Sequence, residues 1–498
     1  MQNAAALTNE IDCLKLQLVE KENRISLLEG LIKQFQHKLF APSSEKVSVN
    51  QLSIFNEAEA DEATDDIDAA THTTVAAHQR SKRKRLTLPP DIPCEEIIYD
   101  IPEQDKVCPH DGSALKVIDS DDHKQLDIIP AQLKVLLHRR LKYACPCCDQ
   151  HIITAKKPKQ PIEKSIASPG LLATVATQKY CDALPLYRQS EIFKRLGIDL
   201  DRTNLANWMV RCGDLVQPLI NLLLEHICAQ PVVHLDETTN QVLNEPGKTA
   251  QSKSYMWLTA AYGQQSAIVF RYDATRSERV PLDILDHTVS TIMVDGYVGY
   301  AKACSTYSIT RLGCWAHARR KFVEAKQVQP KGKTGKADQA LAFIQKLYAI
   351  EKQIKDHPPD QRQLIRAQQA KPIIDKLRQW LEKSVPAVPP STALGKALTY
   401  LHNQWDCLVR YLDDGHYPID NNKAENSIRP FAIGRKNWLF ANSQAGAKAS
   451  ANLYSLIETA KRNQLNPLDY LKTVFTQLPN AQSVEDIEKL LPWNIDLS

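Results

Sequence analysis

Residues 232–236 read Val-Val-His-Leu-Asp, and residues 291–297 read Thr-Ile-Met-Val-Asp-Gly-Tyr. Each is a short apolar, β-branched run that ends in an acid. Runs of this length read as buried strands. Between them, 255–262 and 267–272 flank Gly263-Gln264-Gln265, the signature of a hairpin. Residues 277–285 fit one helix. Residues 308–314 read as a fifth strand leading into a helix over 316–325. The expected order is three strands, helix, strand, helix-length break and strand, an α/β core.

The two acids decide what this core does. Neighbouring strand ends would bring Asp236 and Asp295 together. Carboxylates that close repel unless divalent cations neutralise them. Hard Mg²⁺ suits oxygen ligands, and two such ions suit phosphodiester chemistry. A third carboxylate is expected from a helix crossing the same end of the sheet. Glu425 in Ile419-Asp420-Asn421-Asn422-Lys423-Ala424-Glu425-Asn426-Ser427-Ile428-Arg429 is the candidate, with Asp420 or Asn421 as helix cap. Arg429, Arg435, Lys436 and Trp438 follow it. A basic patch with one aromatic can grip a DNA end, the ring stacking on an unpaired base; a core tryptophan with solvated charges is the alternative.

Working outward, the polar helical stretch over about 320–418 reads as an insertion between the second and third acids. Upstream, 161–229 reads as helices. Pro169 sits where a helix tolerates it, and Gly197 fits a helix stop. A helix from Arg202 to Arg211 follows, completing a helix-turn-helix pattern in which Arg202, Asn204, Asn207 and Arg211 could face a groove. Over 88–160, Cys145 and Cys148 form a C-x-x-C pair suited to zinc. Cys108 opens the matching half, but Asp111 stands where a second Cys would be expected. Zinc at Cys108, Asp111, Cys145 and Cys148 is one reading; a metal-free ribbon is the other. Residues 42–87 form a linker, acidic over 57–68 and basic over 80–85. Over 1–41, Leu7, Ile11, Leu14, Leu18, Lys21, Ile25, Leu28, Ile32, Phe35 and Leu39 alternate steps of four and three. That heptad seam predicts a coiled coil pairing two copies. The remaining spans are a catalytic domain over 230–445, carrying the insertion, and a C-terminal helical segment over 446–498.

The 498 residues suggest about three domains. With 43% hydrophobic and 24% charged residues the chain is neither collagen-like nor wholly disordered. Its 62 Lys+Arg against 58 Asp+Glu leave only +4, so charge distribution must carry any nucleic-acid argument. No apolar run is long enough to span a membrane, and the first residues lack a signal-peptide layout. The 12 Cys therefore read as reduced thiols, with one metal-binding cluster.

Taken together, the pattern closely resembles the transposases of the insertion-sequence-sixty-six family along almost the whole chain. The carrying motifs are Phe-Ala-Pro-Ser-Ser-Glu-Lys at 40–46, the C-x-x-D and C-x-x-C unit, and Leu-Pro-Leu-Tyr-Arg-Gln at 184–189. Further on are His-Leu-Asp-Glu-Thr at 234–238, Asp-Gly-Tyr-Val-Gly-Tyr at 295–300, Cys-Trp-Ala-His-Ala-Arg-Arg at 314–320 and Asn-Asn-Lys-Ala-Glu-Asn at 421–426. The resemblance implies a ribonuclease-H-like fold with an Asp-Asp-Glu triad at Asp236, Asp295 and Glu425. It implies Mg²⁺-dependent cleavage at element ends, then attack of the freed 3′-hydroxyl on target DNA. It also implies small accessory proteins as partners, and a cytoplasmic, nucleoid-associated location. Relatives often have Cys at the position of Asp111.

Cys314 and His317 have metal-ligand spacing, but two more ligands are not apparent nearby in the sequence. The preferred reading is a buried thiol and a hydrogen-bonded His that position a strand-to-helix turn. Arg319 and Arg320, with Lys321, read as phosphate contacts. Two other functions compete: a regulator that binds DNA without catalysis, and a metal-dependent nuclease that stops at hydrolysis.

Overall fold

The computed structural model describes residues 132–144, 152–328 and 335–496, with isolated positions before 132. The heptad seam, the linker, and Cys108, Asp111, Cys145 and Cys148 lie outside the described residues, save that Lys21 is helical and exposed. Residues 64–139 form a unit of their own, in which Lys106 pairs with Asp100 at 2.6 Å. A small hairpin joins β1 (Lys142–Ala144) and β2 (Ile152–Thr154) in antiparallel register. The stretch between these strands holds Cys145 and Cys148.

Four helices follow: α1 (Pro169–Tyr180), α2 (Leu186–Arg195), α3 (Arg202–Leu215) and α4 (Gln217–Cys228). Their ends obey local chemistry. The Ser168 hydroxyl accepts from Leu171 N at 3.2 Å and caps α1, with Pro169 at the first helical position. Gly197 takes φ +87° just beyond α2, the left-handed conformation a helix stop needs. Asp201 caps α3 by accepting from Thr203 N at 2.9 Å.

The main sheet is built from β3 (Val233–Asn244), β4 (Lys253–Ala261), β5 (Ala267–Asp273), β6 (Thr291–Val294) and β7 (Thr310–Gly313). Its order is β5-β4-β3-β6-β7. The first three strands form an antiparallel meander; β6 and β7 run parallel to β3. Helix α5 (Arg279–Ile284) and helix α6 (Ala301–Tyr307) supply the crossovers that parallel strands require. The expected element order holds, with β3 extending eight residues beyond the apolar run. The first five, Glu237 to Gln241, are polar, and their pairing with β4 from Glu237↔Trp257 to Gln241↔Lys253 keeps them in strand; Val242 and Asn244 pair with a later strand.

Helix α7 (Trp315–Gln327) leads into a helical insertion: α8 (Lys336–Ile354), α9 (Pro359–Ile365), a π turn at Arg366–Ala370, α10 (Lys371–Ser384), α11 (Ala393–Asn403) and α12 (Trp405–Val409). It has its own core, which begins at Trp315, Ala318 and Phe322 and so takes in α7. Then come α13 (Asn422–Trp438), a short β8 (Ala441–Ser443) that pairs with the far end of β3, α14 (Gln444–Arg462), α15 (Pro467–Gln477) and α16 (Val484–Glu488).

A single larger core runs from α1–α4 through the sheet to α14 and α15. Helix α14 covers the edge strand β5. The N–H groups of Phe270 and Ile268 donate to the Ser455 and Thr459 hydroxyls at 2.7 and 3.0 Å, and Thr459 donates back to the Ile268 carbonyl at 2.9 Å. Residues four apart on a helix rise about 6 Å. Residues two apart on a strand rise about 6.8 Å. The two spacings match well enough for one helix face to satisfy a bare strand edge, which would otherwise invite pairing with another chain.

Helix α14 also meets α3 with almost no gap. A Cβ at Gly213 would lie 2.5 Å from the Ala449 Cα. Gly213→Ala is therefore expected to destabilise the fold by about 1–3 kcal/mol, because neither backbone can give way without parting the helices. A urea unfolding midpoint unchanged by the substitution contradicts this.

Candidate active site

Strand β3 pairs with β6 at Val233↔Ile292 and His234↔Met293. Continuing that register places Asp236 beside Asp295, as the two apolar runs predicted. The Asp295 carboxylate accepts from Tyr297 N at 2.8 Å, and its carbonyl accepts from Arg311 at 2.7 Å. That fixes the turn leaving β6. Burial pushes the Asp236 carboxyl well above the usual carboxylate range, and Glu237, Glu425 and Asp295 push it the same way. Asp236 thus sits in a field of like charge, which either a proton or a bound cation relieves.

Glu425 lies in the first turn of α13. Three contacts bring this turn to the sheet. Asn421 Nδ2 donates to the Leu235 carbonyl at 2.8 Å, one residue before Asp236. Its Oδ1 lies 2.8 Å from His234 Nδ1. With Nδ2 already donating, Oδ1 accepts, so His234 carries its proton on Nδ1. Burial lowers His234 to about 4, leaving it neutral. Asn421 N also donates to Cys314 Sγ at 3.2 Å. Of the two expected caps, Asn421 occupies the cap position but its side chain makes no capping bond and braces α13 against β3 instead, while Asp420, one residue earlier, accepts from Asn422 N at 3.1 Å. The insertion helps from the other side: Tyr348 on α8 donates to Asp420 at 2.7 Å.

Helix α7 faces Glu425. Arg320 Nη2 donates to Glu425 Oε2 at 2.7 Å, and His317 Nδ1 lies 3.3 Å from Oε1. Arg320, expected as a phosphate contact, is in this structure paired with Glu425. On the other side of β3 from Asp236, Glu237 is held by Arg276 and by the Tyr300 hydroxyl. The only sign of Glu237 in the sequence is its place directly after Asp236. Arg276 also stacks 4.0 Å from the Tyr297 ring, tying the turn after β6 to this cluster.

The donor set fits divalent magnesium. Asp236, Asp295 and Glu425 are all oxygen donors on three elements that converge, and Glu425 Oε1 is buried with no hydrogen-bond partner.

A family model described as the transposase IS66 family matches residues 164–449. The chain belongs to the IS66 transposase family. A second IS66 model, for the zinc-finger binding domain, matches 105–149, and the IS66 C-terminal element matches 455–493. A model described as transposase C of IS166 homeodomain matches 27–97. Similar relatives come from Sinorhizobium fredii (strain NBRC 101917 / NGR234). Uncharacterized protein y4qI is 30% identical over 98% of this chain and 93% of its own length. Uncharacterized protein y4jD is 29% identical over 98% of this chain and 97% of its own.

The remaining residues singled out in this IS66 chain divide into groups. Arg202, Asn204, Asn207 and Arg211 are all exposed on α3, with Leu205, Trp208 and Met209 buried behind them. Arg319 and Arg429 are half-buried. Arg435 donates to the Thr239 hydroxyl at 3.0 Å, and Lys436 is exposed. Trp438 is half-buried against Tyr454, with Lys179 4.6 Å above its ring. That packing favours the core reading of Trp438 over base stacking. The exposed apolar residues beside it are Leu439 and Phe440. Among the described residues, no helix is long and apolar enough to cross a membrane.

Proposed function

We propose that the chain is a DNA transposase of the Asp-Asp-Glu type, with a ribonuclease-H-like catalytic core. What supports this reading is that Asp295, at the end of β6, and Glu425, in the first turn of α13, both act electrostatically on Asp236 of β3, in a protein of the IS66 family. Asp236, Asp295 and Glu425 would hold two Mg²⁺ ions. Such ions supply activation of the attacking oxygen and stabilisation of the leaving oxygen.

The chain's own residues do the rest. His234 and Asn421 keep α13 in register with β3, so that Glu425 faces Asp236. Arg320 holds Glu425 Oε2. Arg311 fixes the Asp295 backbone. The exposed α3 face supplies Arg202, Asn204, Asn207 and Arg211 to the element end, with phosphate contacts setting position and any base-edge contacts setting sequence. Arg319, Arg429, Arg435 and Lys436 extend the basic surface around α7 and α13.

In this reading the N-terminal heptads pair two copies, and Cys108, Asp111, Cys145 and Cys148 hold zinc in a unit that contacts DNA. Accessory proteins of the same element are the remaining proposed partners, and the protein works at the nucleoid. The test is Mg²⁺-dependent nicking of labelled element-end DNA by the purified chain. Specific cleavage at the end supports the reading; end-specific binding without cleavage in Mg²⁺ or Mn²⁺ favours a regulator instead.

A further inference from the structure

Cys314 and His317 acquire a third partner that their sequence neighbourhood does not contain. Glu425 arrives from 108 positions downstream, and one ligand atom from each of the three residues lies within 4.8 Å of the others. We propose that Cys314, His317 and Glu425 form a binding site for a thiol-preferring divalent cation of the zinc class, distinct in chemistry from the all-oxygen acid cluster.

Four observations support it. First, the donor set is mixed. A thiolate, an imidazole and a carboxylate suit zinc, whereas magnesium seeks oxygen alone. Second, the spacing fits. Two ligands each about 2.0–2.1 Å from a tetrahedral zinc are roughly 3.3–3.4 Å apart, and His317 Nδ1 lies 3.3 Å from Glu425 Oε1. Third, that contact is not a formed hydrogen bond. Both His317 Nδ1 and Glu425 Oε1 are buried without a hydrogen-bond partner, and such atoms are costly unless something else meets them. Fourth, Cys314 Sγ already accepts the Asn421 N–H. A backbone donor of this kind orients a metal-binding sulfur from outside the ligand shell.

Access and closure also fit. Cys314 is fully buried on the inner side, while His317 and Glu425 remain 23% and 24% exposed at the side chain. A cation can therefore arrive from solvent, with water as its fourth ligand. Binding releases the Cys314 proton to solvent, since the thiolate is the ligand. Closing the site on zinc requires the sulfur to draw inward from separations of up to 4.8 Å.

The consequence for catalysis rests on the triad reading: zinc here would compete with the acid cluster for Glu425 and slow cleavage. The binding claim does not rest on it. The experiment counts zinc in the full-length chain after metal stripping, reloading and exhaustive dialysis. The variants are His317→Gln, Cys314→Ser and, for the finger, Cys145→Ser. Wild type is expected to hold one more zinc per chain than either His317→Gln or Cys314→Ser, and Cys145→Ser is expected to keep that zinc. Equal zinc in wild type and His317→Gln overturns the site and leaves the trio as a brace for the strand-to-helix turn. His317 reaches the surface whereas Cys314 is fully buried, so the His317 variant decides the matter even if Cys314→Ser fails to fold. Loss of one zinc together with an absence of DNA cleavage in every sample would sink the triad reading while sustaining this one.

Discussion

Replacing Glu425 with Gln is expected to reduce strand cleavage by roughly 10³-fold or more while leaving DNA binding in place. The size follows from the role: losing one carboxylate of a metal cluster removes several kcal/mol of charge stabilisation in the transition state. Binding survives because Gln keeps the shape of the α13 turn. Asn421 still joins that turn to the Leu235 carbonyl and to His234. One negative charge fewer, with Arg320 released from its 2.7 Å partner, also favours a polyanion. Cleavage of labelled end DNA and a gel-shift titration on the same preparation check both halves. Wild-type cleavage by this variant removes Glu425 from the triad.

The largest loss of stability is expected at Arg366→Met. Arg366 is fully buried at the π turn of the insertion. Its Nε and Nη2 donate to the two Glu351 oxygens at 2.9 and 2.7 Å. Nη1 donates to the carbonyls of Tyr411 and Asp414, and Nη2 also to that of Tyr417, all within 2.9 Å. Removing one partner of a buried pair costs about 3–5 kcal/mol, and here it leaves the Glu351 carboxylate with only the more distant Arg362, at 3.9 Å. The damage reaches the active site, because the three carbonyls lie just before Ile419, whose own carbonyl accepts from Trp315 N at the start of α7. Unfolding in urea should show the drop, and cleavage should fall with it. Adding Glu351→Leu to the same chain is expected to recover part of the stability, since a well-packed apolar pair avoids the stranded charge. A single variant as stable as wild type contradicts the account.

Much of the sheet was legible because its strands are buried and β-branched, and because two of them stop on an acid. The end of β3 was less so. Residues Glu237 to Gln241 are polar, and pairing with β4 keeps them in strand, while β8 pairs with the end of β3 at Val242 and Asn244. Helix α13 runs past Pro430 to Trp438, although an interior proline costs a helix about 3 kcal/mol. Burial of Ile428 and Phe431 around it offsets that cost, and no local pattern announces it. The acids Asp236 and Asp295 were readable, since each ends an apolar run. The partners of Glu425 were not. His317 and Arg320 belong to a helix more than 100 residues earlier, and a contact across such a separation leaves no periodicity in the chain. Asn421 shows the same limit: as a helix-capping type it pointed to α13 alone, yet its side chain is spent on β3. Lys179 above Trp438 is a third case, joining α1 to the end of α13.

The central claim is that three carboxylates on converging elements carry out DNA strand transfer. The most direct measurement incubates labelled element-end DNA, a target plasmid and Mg²⁺ with the wild-type chain and, separately, with Asp295→Asn. The account predicts joined end–target product from the wild type and none from the variant. Joined product from Asp295→Asn, or wild-type cleavage that stops at hydrolysis with no joining, contradicts it.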